Sequence, residues 1–410
     1  MNKESVTSAL RGLYRWQTIV FLFLTLLWAY KFQWLEQEFP FLLTAQLTFH
    51  QLLSSLDWRQ QRVNWVTLVQ IDDDSFWSPP LSGVLPTNRA VLADVGLLAA
   101  DHGALVVAFD IQLKSPSPVP GDDKIRDHDN KHLLDVIRKI TGRNRPVVLT
   151  IGLVPSDKGE WEREPNIFRD NELPHGTRLG HINLPIDPRQ IPLDLTAWEL
   201  DKKSKVSLDS FALKIVDAYE EAAHLHPRTK DQPVIRKAIA NNEFVYGGFL
   251  KNSVWDRVTA KDLLRGDNRA LEMCRNRVVI IGGTWHEFGN LRGPAADENV
   301  SPLGPLPGLF LHGNYVEALL SNNFRPAVPD KVAVLIDLGI ALLLYVLFWS
   351  ATRKAMRVKV LLAFVLPLLA AYVAFANVGS YLDFIAPVSL VFVHLLVESR
   401  WYHGERKAVL

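Results

Sequence analysis

Two short segments decide the fold: VTLVQI at Val66–Ile71 and ALVVAF at Ala104–Phe109. Each is an apolar run of strand length, with the composition typical of a strand buried inside a sheet. Between them, Arg89–Ala100 carries apolar residues at helical spacing, and PTN at 86–88 precedes it as a helix start signal. The pattern predicts a strand, a helix and a second strand in succession, which is the unit from which parallel sheets are assembled.

The segments that follow continue this α/β pattern. Val147–Ile151 and Val278–Ile281 are two more strands of the buried type, which indicates a mainly parallel sheet with helices on its faces. The other predicted helices are Asn130–Ile140, Leu208–Ala223 and Leu311–Leu320, and the predicted long surface loops are Ser115–Asp129 and Asp157–Pro185. We expect one α/β domain over residues 33–330.

Composition narrows the class of function. Hydrophobic residues make up 48% of the 410 residues, so the chain is too apolar for a disordered protein. Its 45 basic and 44 acidic residues leave a net charge of +1, which gives no field to attract nucleic acid. A single cysteine, Cys274, excludes a disulfide framework and a cysteine zinc cluster. The sequence has no HExxH, GxSxG or Walker pattern, so we expect neither an enzyme nor a cofactor.

Four apolar runs predict four membrane-spanning helices. The first lies within residues 1–32 and is followed by WAYKFQW instead of the small residues of a cleavage site, so it is predicted to remain as an anchor. The other three are Val332–Ser350, Val360–Val378 and Tyr381–Val397, each near the length that crosses a hydrocarbon core. The predicted segments are thus an anchor at 1–32, an outer domain at 33–330, three spans within 331–397 and a tail at 398–410.

The basic residues predict the orientation, because Lys and Arg accumulate in short cytoplasmic loops. They cluster in residues 3–15, 353–359 and 400–407, whereas the linker at 377–383 has no positive charge. With four spans, all three basic clusters fall on the same side of the membrane. We therefore expect both termini in the cytoplasm and the α/β domain outside the cell membrane.

Several motifs follow one another in a specific order. They are VQIDDDS (69–75), GALVVAFDIQL (103–113), VSLDSFALKI (206–215), VTAKDLLRG (258–266), RNRVVIIGGTW (275–285) and SPLGPLPGLFLHGNYVEALL (301–320). Together they closely resemble the type 2 CHASE domain, an extracytoplasmic sensory module of bacterial receptors. The resemblance covers residues 60–325 and departs from the family pattern at LPTNR (85–89) and IDPRQIPL (186–193).

The resemblance implies a sensory domain held between one anchor and three spans in the bacterial inner membrane. Receptors of this kind commonly continue into a catalytic cytoplasmic domain, whereas residues 398–410 are far below the roughly 40 residues that a folded core needs. We expect a module without catalytic output that relays a signal to a cytoplasmic or membrane partner protein. The alternative is a structural or assembly subunit whose outer domain is a docking surface.

Polar side chains follow the predicted strands at the edge where open parallel sheets bind ligands. Asp72, Asp74 and Ser75 follow the first strand, Asp110 follows the second, and Thr284 follows the last. These residues are candidates for a site that binds a polar ligand or a cation. Three carboxylates are suited to Ca²⁺ or Mg²⁺, although the sequence identifies neither a metal nor another ligand.

A purely structural interpretation of the same residues is equally specific. In it, Asp72–Ser75 cap the turn that follows the first strand, and Asp110 pairs with Arg89 to hold the first helix against the sheet. His286 and His312 are too far apart in sequence to count as a metal-binding pair.

Two further groups of residues are candidates for contacts within the membrane and beyond it. Asp337 lies inside the second predicted span, and His394 of the fourth span is its candidate hydrogen-bond partner. Alternatively, Asp337 lies near the outer interface and extends toward water. In the tail, Arg400, Trp401 and Tyr402 form an aromatic and basic strip that either contacts a partner or anchors the last span.

Overall fold

The computed structural model describes residues 63–326, apart from 115–122, 158, 201–203, 225–231, 242–244, 251–253, 290–292 and 294, and in addition Thr44, Leu47, Thr48 and Gly339. The chain divides into two compact units, of which Ser54–Pro326 contains nearly every described residue. Apart from Gly339, the predicted spans lie outside the described residues, and so do Asp337, His394, Arg400, Trp401 and Tyr402. None of the helices in the described part of the chain has the length and hydropathy that a membrane crossing requires.

The secondary structure elements are numbered along the chain. The strands are β1 (Val66–Ile71), β2 (Val106–Asp110), β3 (Val147–Ile151), β4 (Leu153–Pro155), β5 (Trp161–Arg163), β6 (Thr177–His181), β7 (Gln190–Ile191), β8 (Asp194–Trp198), β9 (Lys205–Asp209), β10 (Val245–Gly247), β11 (Val258–Thr259), β12 (Val278–Gly283), β13 (Glu298–Asn299), β14 (Leu306–Pro307) and β15 (Phe324–Pro326). The helices are α1 (Asp73–Phe76), α2 (Arg89–Asp101), α3 (Asp123–Thr141), α4 (Phe211–Ala222), α5 (Pro233–Asn241), α6 (Ala260–Leu264), α7 (Asn268–Glu272) and α8 (Gly308–Leu320).

A six-stranded sheet forms the centre of the domain. Its strand order is β11-β1-β12-β2-β3-β6, and every neighbouring pair in it is parallel. The predicted α/β fold with a mainly parallel sheet is therefore confirmed. The predicted unit of strand, helix and strand is present as β1, α2 and β2, but β12 lies between the two strands. Val278 of β12 pairs with Val66 on one side and with Val106 on the other.

Helices cover both faces of this sheet, which is why its strands are apolar runs without a polar face. Successive side chains of a strand point to opposite faces. Leu68 and Ala108 accordingly lie in one buried cluster with α4 and α8. Val69 and Val107 lie in a second cluster with α2 and α3. The two faces are thus chemically separate environments.

Three smaller sheets complete the described part of the domain. β4, β5, β8 and β9 form a four-stranded sheet in that order, and a three-stranded sheet has the order β15-β10-β7. β13 and β14 form an antiparallel pair directly before α8.

The prediction of a long loop over Asp157–Pro185 was wrong. The stretch contains β5, a 3-10 turn at Asp170–Glu172, and β6, which is the last strand of the main sheet. The sequence of β6, TRLGH, has one large aliphatic residue, so its local pattern does not differ from that of a loop. Gly180 has a tertiary role, since a Cβ there would lie 2.6 Å from the Cα of Phe211.

Three helix starts also differ from the predictions, and one of them is that of α8, which begins at Gly308 instead of Leu311. α3 begins at Asp123, inside the predicted loop Ser115–Asp129. α4 begins at Phe211 instead of Leu208, because Lys205–Asp209 is a strand and Ser210 caps the helix by accepting a hydrogen bond from the Leu213 amide.

Candidate functional site

A carboxyl group and an imidazole meet inside the domain at the carboxyl end of the main sheet. Asp110 is the last residue of β2, and its side chain lies on the α8 face of the sheet. His312 lies in the second turn of α8, and its Nε2 is 3.7 Å from Oδ1 of Asp110. The two side chains are only 8% and 2% exposed. Gly282 of the neighbouring β12 leaves room for the aspartate, because a Cβ there would lie 3.1 Å from the Asp110 Cβ.

Burial keeps both groups of this pair uncharged. Removal from water and, to a smaller extent, the nearby negative charge of Asp297 together raise the pKa of Asp110 from 3.8 to about 8. Burial lowers the pKa of His312 from 6.5 to about 4. A separation of 3.7 Å is too long for a hydrogen bond to offset the desolvation of an ion pair. Near neutral pH the pair therefore consists of a carboxylic acid and a neutral imidazole.

Asp297 lies against the start of α8. Its backbone oxygen accepts a 2.9 Å hydrogen bond from the Gly308 amide, and its carboxylate occupies the space that a Cβ at Gly308 would fill. A negative charge at a helix N-terminus interacts favourably with the helix dipole. Asp297 therefore influences Asp110 and His312 electrostatically and also fixes the start of α8, the helix that carries His312.

His181, at the end of β6, is a second buried histidine near this pair. It is 1% exposed, and burial is the main cause that lowers its pKa to about 4. A positive charge on His312 contributes to this lowering of the pKa, whereas the negative charge of Asp209 opposes it. Neither ring nitrogen of His181 has a hydrogen-bond partner among the residues that the structure describes. The sequence analysis missed His181 because it assigned this segment to a loop.

The residues that follow β1 form a cap and a surface ion pair. Oδ1 of Asp72 accepts hydrogen bonds from the backbone amide of Ser75 at 2.9 Å and from its hydroxyl at 2.6 Å. Asp74 is exposed and lies 3.3 Å from Nζ of Lys261. The Ser75 hydroxyl oxygen also accepts a 3.3 Å hydrogen bond from the Lys261 amide. These contacts agree with the purely structural interpretation of the sequence, in which Asp72–Ser75 cap the turn that follows β1.

Thr284 and Asp73 join the ends of β1 and β12. The Thr284 amide donates a 2.9 Å hydrogen bond to the Ile71 carbonyl. Asp73, which sequence analysis did not select, accepts a 2.6 Å hydrogen bond from the His286 amide and lies 3.2 Å from Nδ1 of the same residue. These bonds hold the edge of the sheet together.

Asp72, Asp74 and Asp110 were the carboxylates of the candidate cation site. Among the residues that the structure describes, no three His, Cys, Asp or Glu side chains form a group suited to a metal ion. Asp110 also does not pair with Arg89. Arg89 begins α2 on one face of the sheet, whereas Asp110 meets His312 on the other. The reason is the two-residue alternation of strand side chains.

The carboxylate of Glu317, on α8, binds the backbone at the start of β1 and just before it. Its Oε1 accepts a hydrogen bond from the Asn64 amide at 2.9 Å. Its Oε2 accepts hydrogen bonds from the amides of Trp65 at 3.1 Å and Val66 at 3.2 Å. Burial raises the pKa of this carboxyl group more than the three hydrogen bonds lower it. Nothing in the local sequence marks Glu317, because its partners lie about 250 residues earlier in the chain.

Comparison with protein families now identifies the class of this domain. The family model of the CHASE2 domain matches residues 19–352. The chain belongs to the CHASE2 domain family, which is a sensory domain family. The resemblance found in the motifs is therefore confirmed. Comparison with curated proteins and with solved structures gives no match.

The raised pKa of Asp110 predicts a pH-dependent effect of Asp110→Asn. The folded protein holds this proton up to about pH 8, whereas the unfolded chain releases it near pH 3.8. The stability from this group is therefore fully present below pH 3.8 and is lost as the pH rises through 8. As the pH rises from 5 to 9, the unfolding free energy of the natural chain should therefore fall by roughly 2–4 kcal/mol more than that of the variant.

Urea denaturation of the full-length protein in mild detergent, followed by tryptophan fluorescence, measures this difference. The exposed Asp157 provides the matched control, since Asp157→Asn should leave the pH dependence of the natural chain unchanged. Parallel pH profiles for the natural chain and Asp110→Asn would contradict a protonated Asp110.

Proposed function

We propose that this protein is a sensor of the bacterial inner membrane, with its CHASE2 domain outside the cytoplasm and both termini inside. Membership of a sensory family supports the sensor role, and CHASE2 domains are usually extracellular. The four apolar runs and the three basic clusters of the sequence support the membrane topology. The proposed module has no catalytic activity of its own and relays its signal to another protein.

The observation that carries the relay proposal is the double role of α8. His312, in the second turn of this helix, faces Asp110 at the carboxyl end of the sheet. Glu317, five residues later on the same helix, binds the backbone of residues 64–66. Because side chains on one rigid helix move together, a displacement of α8 at His312 also displaces Glu317.

The backbone that Glu317 binds belongs to the route toward the membrane. Residues 64–66 are the start of the described domain after the predicted anchor, and β15, which follows α8, precedes the second predicted span at Val332. A movement of α8 would thus reach both connections of the domain to its proposed spans. Asp337 and His394 within the spans, and the tail beyond them, are the proposed continuation of this route to a partner.

An apolar surface favours a second candidate function, that of an assembly subunit. Phe288 is 72% exposed and Trp77 is 44% exposed, and Gly289 brings their two loops together, since a Cβ there would lie 3.2 Å from the Trp77 ring. Exposed aromatic side chains are frequent in contacts between proteins. In this alternative the outer domain docks onto another envelope protein and binds no signal.

The topology leads to a prediction for reporter fusions. A reporter that is active only in the cytoplasm should be active when fused after Leu410 or inserted within residues 353–359, because these positions adjoin basic clusters. The same reporter should be silent at Gly379, in the linker without positive charge. Activity at Gly379 would rule out the model with four spans.

The role of Glu317 predicts a local effect of Glu317→Gln. The amide nitrogen of glutamine cannot accept a hydrogen bond, so at least one of the three backbone amides loses its partner. Amide hydrogen exchange at residues 64–66 should accelerate by on the order of tenfold, the equivalent of about 1.4 kcal/mol. Hydrogen exchange of the full-length protein in detergent, detected by mass spectrometry, measures this change.

The matched control is Glu272→Gln, on an exposed residue whose ion pair with Arg275 has a separation of 3.4 Å. It should leave exchange at residues 64–66 unaltered. If Glu317→Gln also leaves amide exchange at residues 64–66 unaltered, Glu317 does not hold this backbone against α8, and the proposed relay fails.

The proposed partner leads to a prediction for the tail. Deletion of the residues after Arg400 should leave the outer domain folded but release proteins that copurify with the full-length chain in mild detergent. The double variant Trp401→Ala, Tyr402→Ala keeps the basic residues that anchor the last span, so it separates a contact role from anchoring. Unchanged ratios of the same companions in both variants would show that the tail is only an anchor.

A further inference from the structure

Two buried histidines lie at the start of α4. The backbone of His181 forms an isolated parallel β-bridge with the backbone of Ser210, the residue that caps this helix. The ring of His312 meets the ring of Phe211, the first residue of α4, edge to face with centroids 5.4 Å apart. Both imidazoles are almost completely shielded from water. The start of α4 thus adjoins the backbone of His181 on β6 and the ring of His312 on α8, and the two imidazoles are close enough to interact electrostatically.

The ring nitrogens of these histidines have few partners. Within the described residues, neither nitrogen of His181 nor Nδ1 of His312 makes a hydrogen bond. Nε2 of His312 has Asp110 at 3.7 Å. A neutral imidazole without hydrogen bonds stabilises the fold less than an apolar ring of similar size would. Packing therefore does not explain why these positions hold histidine.

In the part of the chain that the structure describes, three carboxyl groups and one phenol ring lie around the histidines. Asp110 comes from β2 and carries its own proton near neutral pH, and Asp297 comes from the segment before α8. Asp209, at the end of β9, already pairs with Lys214 at 2.7 Å. Tyr315 contributes only an uncharged ring, 6.2 Å from that of His312.

The helix itself adds to the cost of a positive charge at this place. The N-terminus of a helix carries a partial positive charge, so it repels a protonated imidazole next to it. Uptake of a proton by His181 or His312 therefore favours an arrangement in which the start of α4 separates from β6 and α8 and water reaches the rings.

We propose that His181 and His312 form a proton-binding site, and that acidification outside the cell is a signal to which this domain responds. The inference rests on the proposed sensor function and names the chemical signal for it. In neutral surroundings both rings are uncharged and α4 is packed against the sheet. In acid, protonation loosens the contact of α4 with α8, the helix that also carries Glu317.

The pKa values of the two histidines set the direction and the range of the effect. Their pKa values are lowered from 6.5 to about 4, so the stability that they contribute is present above pH 6.5 and is lost as the pH falls toward 4. For each histidine, lowering the pH from 7 to 5 should reduce the protection of the surrounding amides by on the order of tenfold.

Hydrogen exchange of the full-length protein in detergent tests the proposal. Protection factors, corrected for the intrinsic effect of pH, are compared at pH 7 and pH 5 for α4 and α8. Relative to the phenylalanine variants, the natural chain should lose protection in both helices at pH 5, with a smaller loss in α2 on the other face of the sheet. The stability that Asp110 adds on acidification is common to all of these proteins, so the comparison removes it. His181→Phe and His312→Phe should each weaken this loss by on the order of tenfold. The exposed His175 is the control, and His175→Gln should behave as the natural chain does.

The outcomes separate the proton site from the sensor function. If both histidine variants respond to the pH change as the natural chain does, the proton site is overturned. Should one phenylalanine variant fail to fold, the other variant and the ring-proton titration of labelled histidines by NMR give the same answer. An acid response in α4 and α8 that leaves residues 64–66 unchanged supports the proton site but overturns the relay through Glu317.

Discussion

The pairing of β12 between β1 and β2 is the constraint on which the rest of the structure depends. β1 and β2 are close in sequence, but they reach the centre of the sheet only when a strand from about 200 residues later inserts between them. This insertion places Gly282 beside Asp110 and lets the amide of Thr284 bond to Ile71. Because α8 follows β12 in the chain, the same pairing brings His312 over the end of β2. The candidate site therefore exists only when the sheet is complete.

Burial, rather than charge pairing, determines the chemistry of this site. Asp74 and Lys261 form an ion pair at the surface, where water stabilises both charges and the pair adds little to stability. Asp110 and His312 lie on the interior side of the same sheet edge and are both shifted toward their neutral forms. The two carboxyl groups at this edge thus lie in different surroundings, because Asp74, after β1, faces water and Asp110, at the end of β2, faces α8.

Helix α8 links the interior of the domain to its boundary. It packs against the sheet through an almost continuous set of buried residues, so it has few ways to move except as a body. His312 and Glu317 are on this helix, and each contacts a segment that is remote in sequence. The proposed signal and the proposed relay therefore depend on one element. The buried, hydrogen-bonded Glu317 is costly to disturb, because its removal leaves three backbone amides without an acceptor.

The sequence by itself determined the elements whose local pattern is strong. β1, β2, β3 and β12 are continuous apolar runs because both faces of the sheet are covered, and α2 and α8 carry helical periodicity. The sequence motifs also identified the CHASE2 family. Only the tertiary structure decided the position of β6, the face on which Asp110 lies, and the meeting of Asp110 with His312. The physical reason is that a local pattern records burial and periodicity, whereas the choice of a distant partner depends on strand order and on packing across the whole chain.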